Sequence, residues 1–379
     1  MELESASGII LFAAAVVAIG LDNSILSPYY EHFLEVPLSI QLGDFVLSKH
    51  LLHWVNDGLM VIFFMLVALE IKREVLEGEL NSLSKVILPA AAALGGMIMP
   101  AMVFMLFNMN NEYAMRGWAI PTATDIAFSL GVISLLGSRV PLSLKMFLMA
   151  LAIFDDVGAI IIIALFYNAD IYFISLLIAV LCLIILFIFN RLKVENLIPY
   201  FLTGAIMWLA VLNSGVHATL AGVALAFAIP LTPAKRVAHI IHPWVGFLVL
   251  PLFAFMNAGV SLDDLPPGLS NLFSPTMLGI SLGLLFGKFI GVFSVTFLVI
   301  KLGLAKMPSK STWPQIFGIS LVCGIGFTMS FFVGTLAYPV LGAAEPYDAW
   351  VRLGVLSGSL ISGFLGYIVL SLTTQKLEP

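Results

Sequence analysis

Apolar stretches long enough to cross a lipid bilayer recur along almost the whole chain, and no other feature constrains its fold as strongly. A helix rises 1.5 Å per residue, so about 20 apolar residues are needed to span the hydrocarbon core. About twelve segments reach or approach that length, at residues 7–22, 51–69, 86–107, 117–136, 143–166, 171–190, 197–212, 215–229, 240–260, 276–300, 316–337 and 350–372. The seventh and eighth are short, as expected of tilted or partly penetrating helices. With 61% of residues hydrophobic and only 10% charged, a water-soluble fold could not hide this apolar surface. The expected class is an all-α integral membrane protein forming one membrane domain over residues 1–379.

Orientation follows from the lysines and arginines between the segments, because cytoplasmic loops retain positive charge. If the N-terminus is inside, thirteen basic residues fall on that side: Lys72, Arg73, Lys85, Arg139, Lys145, Arg191, Lys193, Lys235, Arg236, Lys301, Lys306, Lys310 and Lys376. Only Lys49, Arg116 and Arg352 fall on the other. Both termini are therefore expected in the cytoplasm, with an even number of crossings. Glu2 and Glu4 stand where a secretory signal would be basic, so the first apolar run is expected to be an uncleaved span. Cys182 and Cys323 sit in apolar runs without ligand-like spacing, which argues against a disulfide framework or a zinc site. No basic tract suggests nucleic acid as a partner, which leaves lipid as the chain's main surroundings.

The longest outside connection contains Val36 to Leu42, then Gly43-Asp44, then Phe45 to Ser48. Alternating apolar residues about a Gly-Asp pair predict a β-hairpin over about 36–48. A lone hairpin is marginal in water, so it either lies over the bundle or pairs its edge with a second copy, which would make a homodimer.

Ionisable residues inside the apolar segments carry the chemistry, since each costs about 2.5–3.5 kcal/mol at a helix centre. Asp155 and Asp156 lie at the centre of 143–166, Asp125 at the centre of 117–136 and Lys288 at the centre of 276–300. Four costly charges thus share one depth. Adjacent helix positions differ by about 100° in direction, so Asp155 and Asp156 cannot both face one partner. One can pair with Lys288 while the other accepts a hard cation, which favours carboxylate, hydroxyl and carbonyl oxygens.

Two of the segments contain helix breakers at this depth. The run Gly117 to Asp125 includes Pro121, which removes a helix hydrogen bond, and Cys323 to Ser330 places Gly324 and Gly326 beside Thr328 and Ser330. The blocks 86–166 and 276–372 are then each three spans with an interrupted middle helix, beginning on opposite sides of the membrane. They are expected to form inverted repeats with a site where the broken helices cross. Asp125 and Lys288 are placed to neutralise the N-terminal and C-terminal half-helix ends there.

These segments resemble the NhaA sodium/proton antiporters, a family that is itself a standard example of inverted repeats. The resemblance covers nearly the whole chain and is most specific in GWAIPTATDIAF (Gly117–Phe128), FLMALAIFDDVGAIIIIA (Phe147–Ala164), SGVHATLAG (Ser214–Gly222) and CGIGFTMS (Cys323–Ser330). It implies exchange of sodium or lithium for protons across the bacterial inner membrane, without a cofactor. It implies Asp156 as principal sodium ligand, with Asp155 and Thr124 in the ligand set, Asp155 also as the partner of Lys288, and Thr124 and Asp125 as crossing residues near the site. Asp57 matches a position that contributes less directly. Glu70, Arg73 and Glu74 would belong to a cytoplasmic funnel, or simply to a solvated helix end. His217 is either an element of the family's pH response or a polar cap on a short helix. Ala238 stands where well-studied members have glutamate, a departure that bears on that response. His239 and His242 are expected at the membrane surface.

The implied mechanism is competition, because burial penalises a bare carboxylate and either a proton or a cation relieves it. A carrier that reorients only when protonated or cation-loaded is an exchanger, electrogenic if two titrating groups discharge per sodium. A sodium-coupled organic-solute symporter would need a cluster of aromatic and amide residues beside the aspartates, and the sequence places no such cluster there. An intramembrane aspartyl protease needs facing carboxylates from separate helices, whereas Asp155 and Asp156 are adjacent on one.

Overall fold

A computed structural model describes residues 2–42, 45–78, 83–168, 171–261, 273–338 and 347–374. The chain begins with α1 (Glu2–Asp22) and α2 (Ser27–Leu34), followed by an antiparallel hairpin of β1 (Pro37–Leu42) and β2 (Phe45–His50). Helices α3 (Leu51–Trp54), α4 (Met60–Leu76), α5 (Leu83–Asn108), α6 (Glu112–Met115), α7 (Ile126–Ser134), α8 (Leu142–Phe166), α9 (Phe173–Arg191) and α10 (Leu197–Leu212) come next. They are followed by α11 (Thr219–Ala228), α12 (Leu231–Trp244), α13 (Leu250–Asn257), α14 (Pro275–Leu282), α15 (Lys288–Lys301), α16 (Trp313–Val322), α17 (Phe327–Ala337) and α18 (Tyr347–Thr373).

Among the described residues six helices are long and apolar enough to cross a membrane: Lys85–Asn108, Leu142–Phe166, Phe173–Arg191, Leu231–Asn257, Pro275–Lys301 and Tyr347–Thr373. Trp313–Val322 and Phe327–Ala337 form a further apolar pair bent by 42°, and Ala6–Asp22 leads into Ser27–Leu34 through a turn of 118°. The count is therefore six spans, or up to eight if each bent pair is one. Helices α10 and α11, at 16 and 10 residues, are short, as their apolar runs are. Single π-helical turns, Val55–Leu59, Val245–Val249 and Gly283–Gly287, join α3 to α4, α12 to α13 and α14 to α15. Such turns keep the helix running while rotating the residues beyond them, and they concentrate at functional positions.

Local chemistry explains several boundaries. Ser274 caps α14, accepting from the Met277 amide at 3.1 Å with Pro275 at the first helical position. Thr312 and Gln315 form a capping box that starts α16. The hairpin pairs Pro37 with His50 through to Leu42 with Phe45, a register that leaves two residues for the turn. Gly43 and Asp44, expected to make that turn, lie outside the described residues, as does Lys376. The hairpin is moored to the following helix by the Trp54 indole, which donates to the Leu38 carbonyl at 3.0 Å.

Close approach of α5 and α15 positions the centre of the bundle. The two backbones touch at Gly95 and Gly291, where a methyl on either glycine would strike the other's carbonyl. In lipid, association comes from packing of this kind rather than from expulsion of water, so small residues mark the contact. The approach sets Lys288, about one turn before Gly291 on α15, against the bare face of Gly96. The order of elements is the same in two places: a long helix, an interrupted one and a second long helix occur over 83–166 and again over 275–373.

Candidate functional site: a crossing of broken helices

Pro121 lacks an amide hydrogen, and the segment Arg116–Thr122 is a tight 3₁₀ helix rather than an α-helix. Ala123 is extended, at φ −88° and ψ 155°, and Asp125, at φ −81° and ψ 105°, then caps α7 by accepting from the Phe128 amide at 2.9 Å. The second interruption falls between Val322 and Phe327. A methyl at Gly324 would strike the Leu284 carbonyl and Ser362, and one at Gly326 would strike Ser330, so only glycine fits at these close approaches.

The two interruptions are stitched to each other. The Asp125 amide donates to the Ile325 carbonyl at 2.7 Å, Thr124 Oγ1 lies 2.9 Å from the Cys323 carbonyl, and Ser330 Oγ donates to the Ile120 carbonyl at 2.7 Å. Asp125 Oδ2 accepts from the Thr328 amide at 3.1 Å and from the Thr328 hydroxyl. The Asp125 carboxylate therefore faces the positive ends of α7 and α17 together. At the other half-helix end the Lys288 ammonium donates to the Thr122 carbonyl, one of those left without an intrahelical donor.

Helix α8 passes beside this crossing. Lys288 Nζ donates to Asp155 Oδ2 at 2.7 Å, with both side chains fully buried. Thr124 Oγ1 is also 2.7 Å from Asp155 Oδ2. A hydroxyl has one hydrogen, so Thr124 donates either to Asp155 or to the Cys323 carbonyl. Asp156, 1% exposed, points elsewhere, and neither of its oxygens has a hydrogen-bond partner among the described residues. Asp155, Asp125, Glu70 and Lys288 lie close enough for their charges to act on it. A buried carboxylate with two unused oxygens demands a proton or a cation. Asp125 has spent both oxygens on hydroxyl and amide donors and Asp155 has spent Oδ2 while its Oδ1 stays open, so Asp156 is the carboxylate with the most capacity for a ligand.

The other residues singled out in the sequence lie in two separate places. Glu70 and Arg73 line a cavity between α4 and α12, together with Lys235, Ala238, His239 and His242. Glu74 is beside it, bonded to Arg73 at 2.8 Å, and Lys235 pairs with Glu77. His239 and His242, expected at the membrane surface, are exposed and stand on this wall. The helix starts at Leu231, well before the apolar run, and Lys235, His239 and His242 recur at helical spacing on the face turned to α4. Asp57 is some 16 residues of helix from Arg73, roughly 24 Å away at the hairpin end. There it pairs with Lys49 at 2.7 Å from within a π-helical turn. His217 precedes α11, its ring 5.3 Å from that of Phe332 and within reach of the Asp57 and Lys49 charges.

The family whose description reads "Na+/H+ antiporter 1" matches residues 1–370. The chain belongs to it. A relative from Pseudomonas putida, named Na(+)/H(+) antiporter NhaA 1, is 52% identical over 382 residues, covering 99% of this chain and 95% of its own. One from Sulfurovum, named Na(+)/H(+) antiporter NhaA, is 51% identical over 386 residues, covering 99% and 97%. Another of that name from Psychrobacter arcticus is 52% identical over 385 residues, covering 100% and 94%. Family membership and the apolar helices make the chain a multi-pass membrane protein and a transporter rather than an enzyme.

Sequence reasoning within this antiporter family missed several participants. The Thr122 and Cys323 carbonyls carry no residue-type signal, and Pro121 and Gly324 are the only hints that nearby backbone is released. Ser359 on α18, whose hydroxyl accepts from the Gly326 and Phe327 amides, looks in sequence like one more small packing residue. Asn56 and Asn257 make a reciprocal amide pair at 2.8 and 3.1 Å, and only two polar residues in apolar surroundings pointed to it.

Proposed function

We propose that this chain exchanges cytoplasmic sodium or lithium for protons across the bacterial inner membrane, through competition of cation and proton for Asp156. The observation that carries this reading is Asp156 itself, buried at mid-helix with both oxygens unengaged by any described residue. In this reading Thr124 and Asp155 complete the cation's oxygen set, and Asp125 and Lys288 balance the half-helix dipoles around it. Asp156 and the Asp155–Lys288 pair are two titrating units, and discharge of both per sodium makes the exchange electrogenic. Twelve spans with both termini cytoplasmic, and inverted repeats over about 86–166 and 276–372, fit the thirteen-to-three distribution of basic residues and the recurring order of helices. Alternating access would be movement of the repeats against the remaining helices. The cavity with Glu70 and Arg73 serves as the cytoplasmic entrance, and Asp57 and His217 modulate from the hairpin end. The bound species are the transported ions, and the cycle uses no resident cofactor.

Fluorescence dequenching in everted vesicles tests this directly. Sodium and lithium are expected to release the proton gradient in a pH-dependent manner, and potassium and calcium are not. Equal responses to potassium would overturn the assignment of a small hard-cation site.

The hairpin over 36–48 is proposed to join two protomers, because both its strands have an edge left unpaired by the two-stranded sheet. Its deletion is expected to shift the protein to monomers in mild detergent while exchange continues, since the aspartates and Lys288 all lie within one protomer. An unchanged dimer fraction would contradict the proposal.

A further inference from the structure

The first amides of a helix have no intrahelical acceptor, and in lipid none can be left to water. At the start of α17 three consecutive amides meet two acceptors. Those of Gly326 and Phe327 donate to Ser359 Oγ at 3.2 and 3.1 Å, and that of Thr328 donates to Asp125 Oδ2 at 3.1 Å. The positive end of the half-helix is thus shared between a charged group in the crossing and a neutral hydroxyl on α18. Ser359 is 1% exposed, so no solvent can replace it.

The interruption fixed by Ser359 supplies the other side of the crossing. Its Cys323 carbonyl lies against Thr124, its Ile325 carbonyl accepts from the Asp125 amide, and Thr328 holds the Asp125 carboxylate. Thr124 in turn reaches Asp155. We infer that Ser359 is a positioning residue for cation binding: it holds the second interrupted helix in the register that aims Thr124 and Asp125 at the ion site, without touching the ion. The inference rests on the functional reading above and adds α18 to the elements that set affinity.

Ser362, about one turn further along α18, is equally buried but has no hydrogen-bond partner among the described residues, so its hydroxyl serves as an internal comparison. Sodium-dependent dequenching would be measured over a range of sodium concentrations for wild type, Ser359→Ala, Ser359→Cys, Ser359→Thr and Ser362→Ala. Loss of the acceptor is expected to raise the apparent KM for sodium roughly three- to tenfold, the range a lost hydrogen bond commonly carries. The maximal rate should stay within about twofold, because the substitution loosens ion binding and leaves the moving parts intact. Ser359→Cys keeps the bulk with a weak acceptor and should follow Ser359→Ala, whereas Ser359→Thr keeps the hydroxyl and should restore the KM. Ser362→Ala should match wild type.

A wild-type KM in either Ser359→Ala or Ser359→Cys overturns the inference, and so does a fall in maximal rate without a change in KM. An equal KM rise in Ser362→Ala overturns it as well, since removing any hydroxyl from α18 would then suffice. If Ser359→Ala does not accumulate in the membrane, Ser359→Cys decides alone. Absence of sodium-driven exchange by the wild type would overturn the functional reading together with this one, whereas active wild type beside an unaffected Ser359 series rejects only the role of Ser359.

Discussion

Asp156→Asn is expected to insert, fold and melt like the wild type and to move no protons in response to sodium. The amide nearly matches the carboxylate in shape, and neither Asp156 oxygen holds a protein donor that the change would release. The loss is confined to the ionic ligand. The neighbouring carboxylates do not replace both lost oxygens, because both Asp125 oxygens accept donors at the two half-helix starts and Asp155 offers only Oδ1, its Oδ2 being held by Lys288. Losing a charged ligand worth about 3 kcal/mol lowers affinity roughly a hundredfold, enough to take the signal to background at ordinary sodium concentrations. The measurement is dequenching in everted vesicles, with thermal stability in detergent as the control for folding. Near-normal sodium affinity in a well-folded Asp156→Asn protein would remove Asp156 as the ligand and turn attention to Asp155 Oδ1, the other buried carboxylate oxygen without a partner.

The depth and membership of the central cluster were legible in the sequence because the cost of a charge in lipid is so large that Asp125, Asp155, Asp156 and Lys288 had to be explained together. Pro121 marked the first interruption for a covalent reason, and Gly324 and Gly326 marked the second because close backbone approach excludes a side chain. The hairpin was legible from its alternation, and the observed register leaves the expected two residues for its turn. Which aspartate meets Lys288 could not be read from the residues alone, since neighbours 100° apart on α8 are equivalent until the helix is rotated against its partners. Only the family resemblance distinguished them there. That His239 and His242 share a cavity with Glu70 and Arg73 could not be read for a related reason: hydropathy marks where a helix becomes apolar, not where it starts or which face it turns to α4. Carbonyl acceptors such as Thr122 and Cys323 belong to the backbone and leave no mark on residue choice.

Asp155→Asn is expected to lower the thermal stability of the protein, and Lys288→Gln in the same chain to restore much of the loss. The ammonium of Lys288 lies at 0% exposure, so no rotamer carries it to water, and its two acceptors are Asp155 Oδ2 and the Thr122 carbonyl. With Asp155 neutralised, two carbonyl-type oxygens remain to stabilise a full positive charge. Breaking a buried pair from one side commonly costs about 3–5 kcal/mol, while replacing both partners is often close to neutral. The pattern to look for across wild type, the two single variants and the double variant is therefore a coupling of a few kcal/mol in the favourable direction. Strictly additive losses would mean that the pair contributes nothing to the resting state and that the Thr122 carbonyl alone accommodates the charge. The same four proteins separate the pair from the cation ligand. If Asp156 binds sodium and the pair supplies a second titrating unit, the double variant still exchanges sodium but carries fewer protons per cycle, and its rate responds less to an imposed membrane potential. Each elementary charge crossing the membrane is worth about 2.3 kcal/mol per 100 mV, so loss of one charge per cycle is large enough to read in potential-jump measurements. An undiminished response to potential in the double variant would show that both protons travel elsewhere, with Asp156 and Asp125 the remaining carboxylates at that depth.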